Sequence, residues 1–299
     1  MCLAVLALGQ HDRFPVVLAA NRDEFFERPA QPLDWWQPAG HEAPVLGGRD
    51  LSAGGTWFAL SRGGRLGLLT NIRSPGSQRP GAPSRGQIVP DWLGTDQSLA
   101  RASTAWQQAG HNGFNLIAAD LRQNHWAWVS SHAAAPQPMT AGWHGLSNAS
   151  LDTPWPKVLR LRDAMRRQLA EQPDLPSLVM GLFDALIDPT QASDDHLPAT
   201  GVPLALERAL SAVFIRTPDG RYGTRCSTVL VQEHDPNRGL LTHVLERTYH
   251  HAPGEGELAH VTLTGEMPLP WPAPIRRWAQ VGCGYRTTWS STFTNSSAV

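Results

Sequence analysis

The chain has 299 residues, 41% of them hydrophobic, enough to bury a full core in one large domain or two small ones. A formal charge of −1 leaves no global basic field, which sets nucleic acid and anionic membrane surfaces aside as partners. Three cysteines, Cys2, Cys226 and Cys283, are too sparse for a disulfide framework, and no stretch reaches the roughly 20 apolar residues of a membrane helix, so the expected location is cytoplasmic.

The first element begins at Met1-Cys2. Removal of Met1 would leave Cys2 with both a thiol (reference pKa about 8.5) and an α-amine (about 7.7–8.0), a nucleophile that carries its own base. The alternative is a buried, inert cysteine. Residues 3–8 and 16–20 are apolar runs on either side of a polar turn, the pattern of a β-hairpin; the first lacks the basic start of a signal segment. If Leu8 pairs with Val16, the antiparallel register sets Cys2 opposite Arg22, and the second strand delivers Asn21, Arg22, Asp23 and Glu24 beside the thiol. Regular alternation points Arg22 and Asp23 to opposite faces.

A second hairpin is predicted from residues 56–60 and 66–71, with Gly63-Gly64 as a two-residue turn. Pairing Arg62 with Arg65 then sets Asn71 opposite Thr56, so Gly54-Gly55-Thr56-Trp57 and Thr70-Asn71 finish at one end of the sheet. Residues 73–85, rich in Pro, Gly and Ser, read as a loop, either a substrate lid or a solvated connector, bounded by Arg73 and Arg85. A short helix follows near 88–93. Residues 114–119 and 126–129 form a third strand pair.

Thr153-Pro154 reads as a helix start, with a capping hydroxyl and a first-turn proline, for an amphipathic helix to about Leu169. A second helix is predicted over 176–187, then a polar loop over 188–202, then strands at 212–215, 222–231 and 240–244. Strand pairs, then helices, then strands imply an α+β or sheet-on-sheet layered domain. After residue 267 the sequence turns rich in Pro and then Ser/Thr; residues 268–299 read as an appendage, disordered in part, to a domain spanning 1–267. Twelve tryptophans fill the core and its rim or line an apolar pocket, and twelve histidines show no zinc spacing, so no structural metal is expected.

Taken in order, Cys2, Asn21-Arg22-Asp23-Glu24, Gly54-Gly55-Thr56-Trp57, Leu69-Thr70-Asn71, Asn112-Gly113-Phe114-Asn115-Leu116, Gly145-Leu146-Ser147-Asn148 and Tyr222-Gly223-Thr224-Arg225 resemble the NRDE, or transport-and-Golgi-organisation, family over about residues 1–250. That family in turn resembles N-terminal-nucleophile hydrolases of the penicillin V acylase and choloylglycine hydrolase type. The resemblance implies a four-layer αββα sandwich with the nucleophile at the start of the first strand.

It also implies roles for particular residues. Cys2 would be the nucleophile, Asp23 the carboxylate that holds its α-ammonium, Asn71 and Asn148 donors to the oxyanion, and Arg225 the late arginine of the set. Arg22 reads as a contact of the cysteine or as a salt bridge, Asn71 alternatively as a turn residue and Asn148 as a helix cap. Asn21, Glu24, Thr56, Trp57, Arg73 and Arg85 are expected to bind substrate or support the site, while Cys226 is expected in the core or on a sheet face and Asn115 inside a strand in a structural hydrogen-bonding role. Two functions fit: hydrolysis of a nonpeptide amide or related acyl bond in a small hydrophobic or acyl-amide ligand, without cofactor, or carriage of haem or an acyl metabolite without catalysis.

Overall fold

The computed structural model describes residues 2–171, 173–249, 257–264, 275–281 and 284–286. It opens on the expected hairpin, β1 (Cys2–Leu8) and β2 (Val16–Phe25), in the expected register: Leu8 faces Val16 and Cys2 faces Arg22. Every residue of β1 is buried, and so are the first eight of β2. Both faces of this hairpin are covered, which is why its sequence is a continuous apolar run rather than an alternation.

A seven-stranded antiparallel sheet follows in chain order: β3 (Ala30–Trp36), β4 (Val45–Asp50), β5 (Phe58–Ser61), β6 (Arg65–Asn71), β7 (Phe114–Asp120), β8 (His125–Ser130) and β9 (Gln137–Pro138). The chain then returns to the first hairpin. β10 (Gly142–Leu146) pairs with β1, and β11 (Tyr222–Asp235) pairs with β2, followed outward by β12 (Gly239–Thr248), β13 (Glu257–Thr264), β14 (Arg276–Val281) and β15 (Gly284–Arg286).

Three apolar layers fix the architecture. Leu6, Leu18, Leu230 and Val244 of the first sheet meet Leu46, Phe58, Leu68 and Ile117 of the second between the sheets. On the far side of the first sheet, Leu3, Val5, Val17 and Val229 pack beneath α3 (Pro156–Ala170) and α4 (Leu175–Leu186) through Leu161, Met165, Leu182 and Phe183. On the far side of the second sheet, Ala59, Leu116 and Val129 pack beneath α1 (Ile88–Gly94) and α2 (Leu99–Gln108) through Val89, Trp92 and Trp106. Helix, sheet, sheet, helix is the expected four-layer αββα sandwich, with Cys2 opening the first strand. A fifth helix, α5 (Leu204–Leu210), precedes β11.

Some expected details differ. The β5–β6 hairpin pairs Leu60 with Leu66 and Phe58 with Leu68, one residue off the expected register. Of the two turn glycines only Gly64 takes positive φ, at 86°, so the connection is a three-residue loop closed by a Gly64 N–H to Ser61 C=O bond rather than a two-residue turn. α3 starts at Pro156, not beside Thr153, whose hydroxyl bonds back to the Ser150 carbonyl instead. α4 is capped by Asp174, whose carboxylate accepts from the Ser177 N–H at 2.8 Å. Residues 212–215 are buried but irregular rather than a strand. Of the segment 268–299, residues 275–281 and 284–286 are described; β14 and β15 within it extend the first sheet, and the rest lies outside the described residues.

Candidate active site

β1 starts where β2 ends, so the backbone brings the first residue of one strand against the last charged turn of the other. Side chains at even positions of β1 and β2 face the second sheet and those at odd positions face the helices, as Leu6 and Leu18 against Val5 and Val17 show. Cys2 and Arg22 therefore point between the sheets, and Asp23 points toward the α3 layer. Cys2 is 9% exposed and lines a pocket of about 340 Å³ where β1 begins and β2 ends. Burial raises the Cys2 thiol above its ordinary pKa, while Arg22 and a hydrogen bond from the Asp23 backbone N–H pull it back down.

One wall of the pocket is Arg22, stacked 4.1 Å over the Trp57 ring. Its guanidinium is 4.0 Å from both Glu24 and Asp50, and Arg28 bonds Asp50 at 2.8 Å. Trp57 lies flat because Gly48 gives it room: a Cβ on Gly48 would stand 2.1 Å from Trp57 Cζ2. Thr56 also lines the pocket; its N–H donates to the Gly86 carbonyl, which ties the Gly54-Gly55-Thr56 turn to the segment 82–86. That segment, the C-terminal part of the predicted loop, is the outer wall, with Arg85 donating to the Gly113 carbonyl at 3.1 Å. Burial lowers the Arg85 pKa.

Asn71, at the end of β6, lines the pocket, and its orientation is set from behind. Asn148 is 1% exposed and donates through Nδ2 to the Asn71 carbonyl at 2.9 Å and to Asn71 Oδ1 at 3.3 Å. With its oxygen held there, the Asn71 amide turns its N–H₂ away from Asn148. Asn148 is thus spent on Asn71 and does not line the pocket. Ser147 completes the join by bonding the Cys2 carbonyl at 3.1 Å.

Arg225 does not reach the pocket either. The β2–β11 register slips between Thr224 and Cys226, and the residue in the slip is Arg225, whose guanidinium caps the carbonyls of Phe25 and Arg28 at 2.8 and 2.9 Å. Asn21 is also elsewhere: its Nδ2 ties β2 to the Leu186 and Val213 carbonyls. Arg73 pairs with Glu207 at 2.7 Å, both side chains 4% exposed, and stacks 4.7 Å over Trp155. Asn115 and Cys226 are interior, as expected.

The residue that the slip does deliver is Thr224. Fully buried, it donates from Oγ1 to Asp23 Oδ1 at 2.8 Å while accepting from the Ile215 N–H at 2.9 Å. Tyr222 adds a bond from its hydroxyl to the Asp23 carbonyl at 2.9 Å. Burial raises the Asp23 carboxyl above its ordinary pKa, and Lys157 and Thr224 oppose the rise. Sequence reasoning assigned no site role to Thr224, Lys157, Asp50, Arg28 or Asn112; Thr224 and Asn112 lay within motifs it quoted, and Lys157, the single lysine of the chain, carried a signal in its uniqueness. No group of His, Cys, Asp and Glu that could hold a metal ion exists among the described residues, and no described helix is long and apolar enough to cross a membrane.

A sequence model of the family described as Transport and Golgi organisation 2 matches residues 1–251. The mouse Transport and Golgi organization 2 homolog is 35% identical over 234 residues, covering 73% of this chain and 82% of that protein. The cattle homolog is 36% identical over 236 residues, covering 74% and 83%. Among solved structures, the Caenorhabditis elegans ortholog of N-acylethanolamine-hydrolyzing acid amidase is similar with a TM-score of 0.41 and 15% identity over 77% of this chain and 92% of that one. A mutant conjugated bile acid hydrolase from Clostridium perfringens is similar with a TM-score of 0.48 and 10% identity, covering 99% and 100%.

Proposed function

The chain belongs to the Transport and Golgi organisation 2 family, and we propose that it is a hydrolase of a nonpeptide amide or related acyl bond, with Cys2 as nucleophile once Met1 has been removed. The observation that carries this is the position of Cys2: first residue of a strand that pairs on both sides, lining the same pocket as Asn71, with the Asp23 N–H donating to it. A cysteine buried only for packing has no need of a polar pocket above it.

In this reading the freed α-amine of Cys2 takes the Sγ proton, and the thiolate attacks the substrate carbonyl carbon. Negative charge moves to the carbonyl oxygen, where the Asn71 amide donates. The intermediate collapses to a thioester as the leaving amine collects the proton from the α-ammonium. Water, deprotonated by the same amine, then attacks the thioester and returns the thiol. Asp23, held by Thr224, accepts from the α-amine and orients it, and stabilises the ammonium whenever the amine holds the extra proton. Arg22, Arg28, Glu24 and Asp50 line the pocket, so a small polar amide suits it better than a long acyl chain. A free thiol at this position suits a reducing compartment, and the proposal includes the cytoplasm as the working location.

The test combines N-terminal sequencing with an activated acyl ester and peptide mass spectrometry. Acylation confined to Cys2 of a chain that begins at Cys2, absent in Cys2→Ala, supports the reading. Reactive material that retains Met1, or acylation unchanged in Cys2→Ala, sinks it. Titration with haem followed at the Soret band runs beside it: saturable binding without any acylation assigns the pocket to carriage instead.

A further inference from the structure

Of the 25 lysine and arginine residues in the sequence, Lys157 alone is a lysine. It sits in the first turn of α3, 1% exposed, and its Nζ has no hydrogen-bond partner among the described residues. Each of these facts counts against a structural origin. A buried ammonium without a partner is costly, and a cation in the first turn opposes the helix dipole. Long charged side chains that merely pack keep their heads in water. Lys157 does none of what stabilises lysines elsewhere.

The groups around it supply a reason. Asp23 stands at an odd position of β2 and so faces the α3 layer that carries Lys157, and the charged or titratable groups that act on Lys157 are Asp23, Arg73 after β6, Cys2 on β1 and Glu207 on α5. Arg73 and Glu207 are already bonded to each other at 2.7 Å. That leaves Asp23 as the anion Lys157 serves, and Lys157 is the foremost influence holding Asp23 ionised against its burial. Burial pushes Lys157 itself down to about 8, with Asp23 limiting the fall.

We propose that Lys157 is a positioning residue for the Cys2 site: from outside the pocket its ammonium keeps Asp23 a carboxylate, so that Asp23 can hold the amine of Cys2. This rests on the reading of Cys2 as the nucleophile, but the charge coupling itself does not need hydrolysis. Because the lysine is unique, untagged protein labelled with ¹⁵N-lysine gives one Nζ resonance, which reports Lys157 without assignment. Its midpoint is expected near 8 in the full chain. In Asp23→Asn, coupling being reciprocal, the midpoint is expected to fall by about one pH unit, equivalent to about a tenfold change in proton affinity.

The second readout is the pH profile of Cys2 acylation. Lys157→Met is expected to move its acid limb up by about one pH unit, as Asp23 protonates more readily, and Lys157→Arg to return it toward wild type. An Nζ midpoint at the ordinary lysine value of about 10.4, or one that Asp23→Asn leaves in place, overturns the proposal. So does an acid limb unmoved in folded Lys157→Met. If that variant does not fold, the Nζ titrations of wild type and Asp23→Asn decide alone. Coupled titration in a protein that never acylates would sink the hydrolase reading and leave the Lys157–Asp23 coupling standing.

Discussion

Thr224→Val removes one hydroxyl and keeps the shape of the side chain, so its effect isolates two hydrogen bonds. Thr224 is fully buried, donating to Asp23 Oδ1 at 2.8 Å and accepting from the Ile215 N–H at 2.9 Å. A bond to a charged acceptor contributes about 1.5–3 kcal/mol, and a buried N–H left without its acceptor costs about 1–3 kcal/mol. The sum centres on about 4 kcal/mol, and at about 2–4 °C per kcal/mol for a domain of this order the melting temperature is expected to fall by roughly 8–16 °C. Thr224→Ser keeps both bonds and is expected to stay within about 1 kcal/mol of wild type.

The pH dependence of this prediction has a definite sign. Burial raises the Asp23 carboxyl in the folded protein and the Thr224 hydroxyl opposes that rise, so the valine variant raises it further. A folded-state acid with a raised pKa binds its proton more tightly than the unfolded chain does, so it loses stability as pH climbs past the unfolded value near 3.8 toward the folded one. The gap between Thr224→Val and wild type is therefore smallest at low pH, where Asp23 is protonated in both states, and widens as pH rises through that window. Chemical denaturation across pH 3–7 measures it. A gap that is flat with pH, or a serine variant as damaged as the valine, would refute the assignment of Thr224 as the support of the carboxylate.

Glu207→Ala takes the carboxylate from a pair whose side chains are both 4% exposed, and is expected to destabilise by about 3–5 kcal/mol in thermal denaturation; Arg73→Met with Glu207→Leu together is expected to cost much less. Gly48→Ala forces a Cβ to within 2.1 Å of Trp57 Cζ2 and is expected to cost about 1–3 kcal/mol, with Gly76→Ala, whose Cβ meets nothing within 4 Å, as the silent control. Asn71→Ala is expected to slow Cys2 acylation by about 100-fold or more as the oxyanion donor is lost. Asn148→Ala, which only frees the Asn71 amide to rotate, is expected to slow it less, and equal losses would show that both asparagines act directly.

The hairpin at the chain's start was legible because a continuous apolar run on both strands leaves one register that buries everything, and that register carries Cys2 to Arg22. β3 and β4 were not legible. β3 holds a proline and a register shift, and β4 holds Gly47 and Gly48, where packing against Phe58 and Trp57 leaves no space for a Cβ. α2 shows only Ala102, Ser103 and Trp106 to the core, too thin an apolar face to stand out. The site was legible in its members on β2 and β6 and blurred on β11, because the slip at Thr224/Cys226 reverses which neighbour meets Asp23. Asn148 was found by its motif, but its place behind Asn71 depends on a crossing between the sheets that only tertiary structure reveals.

β1 sits between β10 and β2, and β10 belongs to residues 142–146. Until those residues leave the ribosome, β1 has one side open, and at synthesis rates of roughly 5–20 residues per second that interval lasts on the order of 7–30 seconds. On the proposed reading, trimming of Met1 thus has a deadline set by topology: it is expected before Leu146 pairs with Ala4 and the Ser147 hydroxyl bonds the Cys2 carbonyl. A fusion partner placed ahead of Met1 would miss the same deadline, and folded material made that way is expected to be sound in stability and silent at Cys2.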